Sequence, residues 1–120
     1  MNGRVDQANR ALLGLTIRHP VPPTPLVIEA WIDTAFDGDL VIPQAVLDAW
    51  GALPDSFIKA RMADASQATL ATYICTVAWF GGEHAIQVIA GGGQFPLLGT
   101  GLLSGRRLVI DYQTGSLELL

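Results

Sequence analysis

The stretch Leu26-Val27-Ile28-Glu29-Ala30-Trp31-Ile32-Asp33-Thr34-Ala35-Phe36-Asp37-Gly38-Asp39-Leu40-Val41-Ile42-Pro43 decides how the rest of the chain is read. It holds two apolar runs, about 25–33 and 39–42, joined by a short turn, with Asp37 inside the turn and Asp33 and Asp39 at its two edges. Val, Ile, Leu and Trp in runs of this length favour strands, and Asp, Thr and Gly between them favour a tight connection. A carboxylate at the end of an apolar strand is costly if buried and routine in a solvated turn. Position alone therefore favours a solvated turn for Asp33 over a catalytic role.

The same pattern continues outward. Further strands are expected at about 11–18, 56–62, 68–79, 84–90, 106–111 and 116–120, divided by Pro and Gly clusters. Two short helices interrupt them. The first follows Pro43 and runs from Gln44 to Trp50, with Gly51 as its stop and Val46, Leu47 and Trp50 as its buried stripe. The second begins at Gly99 or Thr100, covers Leu102 and Leu103, and ends by Gly105. Thr114-Gly115 reads as the turn of a C-terminal ribbon whose Leu117, Leu119 and Leu120 need cover. The fold class is mostly β. Residues 1–10 carry six charged or amide side chains and little to bury, which predicts a flexible N-terminal arm ahead of one domain over 11–120.

Composition narrows the partners. The chain has 120 residues, half of them apolar, and a mean hydropathy of +0.38, enough for one core and too apolar for disorder. So much apolar surface on a small domain predicts an oligomer. Eleven acidic against seven basic residues give a net charge of −4, the wrong sign for neutralising phosphates. The basic residues are scattered, with Arg106-Arg107 the only adjacent pair, so nucleic acid is not an expected partner. The polar start and the lack of an apolar run of roughly 18 residues speak against a membrane, and a cytoplasmic location is expected. The single Cys75 fits a buried thiol in a reducing compartment.

Most catalytic signatures are missing. His19 and His84 stand alone without ligand spacing, so neither metal nor cofactor is expected. There is no nucleophile elbow and no P-loop. Gly99-Thr100-Gly101-Leu102-Leu103-Ser104-Gly105 approximates a dinucleotide fingerprint, but its third Gly falls one residue late and no acid follows at the required distance outside the terminal ribbon. Gly91-Gly92-Gly93 lacks the following helix that would hold a phosphate, and reads as a connection.

What remains is the opening stretch, which resembles the active-site strand and loop of the retropepsin-like aspartic proteases: an apolar run, a D-T-G motif, then a second apolar strand. Pro96-Leu97-Leu98-Gly99-Thr100-Gly101-Leu102-Leu103 is similar to that family's second hallmark, an apolar-apolar-Gly segment that passes beside the aspartate loop and enters a short helix. A single-domain prokaryotic branch, with Phe after D-T-G and an ending like Leu108-Val109-Ile110-Asp111-Tyr112-Gln113-Thr114-Gly115, resembles this chain most, over about residues 25–120.

The resemblance implies a closed or rolled, barrel-like sheet with one or two short helices, one lobe per chain. Asp33 matches the catalytic aspartate. Thr34 matches the residue that locks two active-site loops across a dimer, and Leu97, Leu98 and Gly99 match the supporting motif. Two departures stand out: Ala35 occupies the family's Gly position, and Thr100 stands where viral members carry an Arg that pairs with an acid matching Asp37. One D-T site per chain implies a homodimer in which two carboxylates activate one water on a peptide or protein substrate. A hairpin over Ser56 to Val77, turning at Asp64, Ala65, Ser66 and Gln67, is the expected flap. Ala35 leaves an alternative open, a weak or inactive dimer that binds extended peptides or protein tails without cutting them.

Overall fold

The computed structural model describes residues 1–120, and its strands form one ten-stranded sheet. In chain order these are β1 (Asn2–Val5), β2 (Ala11–Arg18), β3 (Leu26–Ile32), β4 (Leu40–Pro43), β5 (Ser56–Arg61), β6 (Gln67–Trp79), β7 (Gly82–Gly91), β8 (Leu97–Leu98), β9 (Leu108–Asp111) and β10 (Ser116–Leu119). The helices α1 (Gln44–Trp50) and α2 (Thr100–Leu103) follow β4 and β8. Every strand expected from the sequence is present, with ends moved by no more than two residues, and α1 stops at Gly51 in the left-handed conformation, φ 86°.

The sheet order is β5-β6-β7-β4-β8-β3-β2-β1-β10-β9, and β6 also pairs with β2 through Ile17↔Val77 and Arg18↔Thr76. That extra ladder closes β6, β7, β4, β8, β3 and β2 into a ring, the rolled sheet expected above. β5 hangs from the ring on one side, and β1, β10 and β9 extend it on the other. Alternation in β2 turns Leu13, Leu15 and Ile17 inward, where they meet Ala30 and Ile32 from β3, Leu40 and Ile42 from β4 and Val88 from β7. Each of these large side chains contributes about 1.5–3 kcal/mol by leaving water. Leu47 is the fully buried member of the α1 stripe, while Val46 and Trp50 are half-buried. Cys75 is buried in the core, and burial pushes its thiol up to about 12, so it is inert.

One expectation is corrected. Residues 1–10 are not a flexible lead-in, because Asn2–Arg4 pair with β10 and Arg4–Val5 pair with β2. The polar side chains face outward while the backbone completes two ladders, and side-chain composition does not report backbone pairing. Asp6 then closes the turn into β2 by accepting from the backbone N–H groups of Ala8 and Arg10 and from the Arg10 guanidinium. β1 and the core already cover Leu117 and Leu119, 2% and 0% exposed, so only Leu120 of the terminal leucines is left open.

Candidate active site

Asp33 leaves the buried end of β3 and turns into a loop that returns as β4. Its N–H donates to the Leu98 carbonyl at 2.9 Å, and its own carbonyl accepts from the Phe36 N–H at 3.2 Å, which closes the turn. Its carboxylate Oδ1 accepts from the Ala35 N–H at 3.0 Å. Asp33 is half-exposed, Thr34 and Ala35 are exposed, and the carboxylate opens onto a cleft of about 280 Å³ lined by Trp31, Ile32, Asp33 and Leu97.

The turn is held from below by β8. Leu98, fully buried, pairs in parallel with Ile32 of β3 and antiparallel with Leu40 of β4, so two residues bridge the strands on either side of the loop. Beyond β8 the chain enters α2, whose first backbone donors lack intrahelical partners and have no side-chain cap. The loop supplies the acceptors: Gly99 N–H to the Asp39 carbonyl at 2.9 Å, Thr100 N–H to Phe36 at 2.8 Å, and Gly101 N–H to Gly38 at 3.0 Å. So close an approach requires glycine. A Cβ on Gly99 would lie 2.5 Å from the Phe36 ring and 2.7 Å from its carbonyl oxygen, and closer still to the Gly38 carbonyl. Leu97, Leu98 and Gly99, marked in the sequence as a support, thus lie directly against the Asp33 loop.

At the two departures, Ala35 keeps the N–H that holds the Asp33 carboxylate, and the Thr100 hydroxyl donates to the Phe36 carbonyl at 3.3 Å. The hairpin residues lie together at the far end of β5 and β6. Asp64 accepts from the Ser66 N–H and hydroxyl, which holds its carboxyl below the usual range, Ala65 takes a positive φ of 69°, and Gln67 opens β6.

Three site features escaped the sequence reading. Asp39 braces the loop, since its Oδ2 accepts from the Gln87 N–H of β7 at 3.1 Å. Arg10 lies over the Phe95 ring at 4.0 Å and near the Trp31 ring at 5.9 Å, while these two rings meet edge to face at 6.1 Å beside the Asp33 cleft. Asp6 fixes that guanidinium at 2.7 Å, and the Arg10 partner holds the Asp6 carboxyl below its usual value. The third is His19, buried and bonded to Asp55 at 3.0 Å, whereas His84 lies exposed on β7. Acid–base spacing four apart at Asp6 and Arg10 was the one available sequence signal.

A crystal structure of a retropepsin-like aspartic protease from Rickettsia conorii superposes with a TM-score of 0.71 at 17% identity, covering 99% of this chain and 88% of that one. The chain has a retropepsin-like fold. EIAV protease in complex with the inhibitor HBY-793 gives 0.58 at 16% identity over 88% of this chain and 97% of that one. The protease of Simian foamy virus (mac), solved in solution, gives 0.53 at 17% identity over 77% and 90%. No family model and no curated protein matches the chain in sequence. The retropepsin-like frame therefore rests on backbone architecture, and the chemistry rests on this chain's own residues.

Proposed function

We propose that the chain is one half of an aspartic endopeptidase, completed when a second copy brings its own Asp33 to face the first across a twofold axis. The observation that carries this is the Asp33 carboxylate, oriented by the Ala35 N–H at 3.0 Å and set at the mouth of a cleft by a loop bonded on every side to β8 and α2. A retropepsin-like fold supports the same reading.

Peptide hydrolysis by this route needs one charged and one protonated carboxyl around a single water. Two carboxylates a few ångström apart cannot both ionise, so the pair holds one proton. The charged member takes a proton from water as the water oxygen bonds to the scissile carbonyl carbon. The protonated member gives its proton to the carbonyl oxygen, forming a gem-diol. Protonation of the amide nitrogen and loss of a diol proton to the pair then break the C–N bond and regenerate the starting state. The substrate lies extended, paired through its backbone under the β5-β6 hairpin, with a side chain entering the Trp31-Leu97 cleft. Ala35 retains the amide that orients the nucleophile's activator, which favours cleavage over mere peptide binding.

The test is digestion of a peptide library by wild type and Asp33→Asn from about pH 4 to pH 7, read by mass spectrometry. Cleavage by wild type, favoured in acid and reduced at least a hundredfold in Asp33→Asn, is expected. Equal cleavage by both, or none by a confirmed dimer, would refute the proposal; retained peptide binding in the second case would establish the non-cutting alternative.

A further inference from the structure

β5 stands at one end of the sheet order and pairs only with β6, so its other edge is open from Ser56 to Arg61. The register decides which residues face that edge. The Met62 N–H donates to the Ser66 carbonyl at 2.8 Å, in step with Arg61↔Gln67. Antiparallel ladders alternate hydrogen-bonded and non-hydrogen-bonded pairs, so the even-numbered residues of β5 spend their backbone groups on β6. Phe57, Lys59 and Arg61 therefore turn their N–H and C=O groups outward. The side chains of the same three residues are exposed, whereas Ile58 and Ala60 on the opposite face are half-buried.

Charge singles out two of the three. Of the seven basic residues, Arg4, Arg10 and Arg18 have carboxylate partners, and Arg106 and Arg107 precede β9, at the other end of the sheet order. Lys59 and Arg61 have no carboxylate partner. The acid at the hairpin tip, Asp64, accepts from the Ser66 N–H and hydroxyl. The residues opposite on β6, Thr69 and Gln67, are neutral. In a chain of net charge −4, two free cations thus stand two residues apart, on one face of one open edge. Such an edge repels a second β5, which would set like charges side by side, and attracts a strand of the opposite sign.

We propose that the open edge of β5 adds an extended acidic peptide strand, with two Asp or Glu side chains opposite Lys59 and Arg61 and an apolar residue between them turned to the Ile58 and Ala60 face. That this contact selects a substrate for cleavage rests on the endopeptidase proposed above; the binding of the acidic strand does not.

The alternation follows from strand addition itself. Directly opposite residues of paired strands share a face, and the residue between two of them points the other way. Main-chain bonds to Phe57, Lys59 and Arg61 supply the attachment, and the alternating side chains supply the choice. The Asp33 cleft offers apolar walls in Trp31, Ile32 and Leu97, and Arg10 beside it is held by Asp6 at 2.7 Å. Selection by charge therefore falls to the hairpin. Exposed ion pairs are individually weak, and two together should give about a tenfold preference.

The experiment titrates three fluorescently labelled peptides, identical except for a central Glu-Leu-Glu, Lys-Leu-Lys or Leu-Glu-Glu, at about pH 6, where glutamate is charged. Binding is read by anisotropy on full-length Asp33→Asn, which leaves the probes uncut, and on the same chain carrying Lys59→Glu with Arg61→Glu, or Lys59→Gln with Arg61→Gln. Glu-Leu-Glu is expected to bind about tenfold tighter than Lys-Leu-Lys at low salt, and about twofold tighter at about 0.5 M salt. Leu-Glu-Glu has the same charge but splits it between two faces, and should bind about threefold more weakly than Glu-Leu-Glu. The preference should vanish in the Gln variant and reverse in the Glu variant; both changes are exposed, and either one suffices if the other fails to fold. Equal binding of Glu-Leu-Glu and Lys-Leu-Lys, binding of none, a preference that survives both variants, or no difference between Glu-Leu-Glu and Leu-Glu-Glu would overturn the proposal. The peptide library, digested by wild type, separates the two readings. A protein that cuts nothing yet shows the binding preference loses the endopeptidase and keeps the acidic strand; one that cuts without the binding preference loses only the acidic strand.

Discussion

The Asp33 loop and the β5-β6 hairpin are both turns between strands, and they are held in opposite ways. Between Asp33 and Asp39 the loop meets a second segment almost residue by residue, through Leu98, Gly99, Thr100 and Gly101, with Asp39 reaching on to β7. The hairpin is tied to the body near Asp55, and its tip is held by bonds among Met62, Asp64, Ala65 and Ser66. Long-range contacts fix the Asp33 loop, whereas the tip of the hairpin is held by contacts of its own.

The largest effect should come from adding one methyl group at the junction. Gly99→Ala drives a Cβ against the Phe36 ring and two carbonyls, and is expected to cost about 3 kcal/mol or more, lowering Tm by on the order of 10 °C. A thermal melt within about 2 °C of wild type would show that the loop and α2 are not closely joined.

Acid should act on the other region first. Asp55 and Asp64 of the hairpin, Asp6, Glu29 and Asp111 all have carboxyls held below their usual range by hydrogen bonds or Arg partners. Such groups bind protons more readily unfolded than folded, so their contribution is complete above the ordinary carboxylate range and is lost as pH falls through the lowered values. Urea midpoints should drop between about pH 6 and about pH 3, with hairpin amides losing protection before those of β3 and β8. Loss of protection in the reverse order would break the contrast.

Ala35→Gly should have a smaller effect, because the N–H that holds Asp33 is already in place. Turnover should change by less than about tenfold, or about 1.4 kcal/mol in the barrier. A far larger rise would show that the methyl displaces the loop. Smallest of all, Ser66→Ala at the exposed hairpin tip should leave Tm within about 2 °C, since it removes one solvated hydroxyl bond to Asp64.

Much of this was legible in the chain. Strand positions followed from apolar runs, α1 from Pro43 and Gly51, and the Asp33 loop with its Leu97-Leu98-Gly99 support from two motifs in order. The missing parts depend on pairings that no local pattern encodes. Asn2–Val5 is polar outside and paired along its backbone; Arg10 meets Phe95 and His19 meets Asp55 only after the sheet has rolled. Their residue types are ordinary where they stand, and their roles come from what the ring closure sets beside them.

The central claim is that one site requires two copies of Asp33, and a mixing experiment at fixed total concentration tests it most directly. Wild type and Asp33→Asn are unfolded together, refolded in equal amounts and assayed on a cleaved peptide. If each site needs both carboxylates, only dimers of two wild-type chains cut, and activity should fall to about one quarter of the all-wild-type value. A fall to only about one half, in proportion to the wild-type chains present, would mean that each chain works alone and would contradict the shared pair.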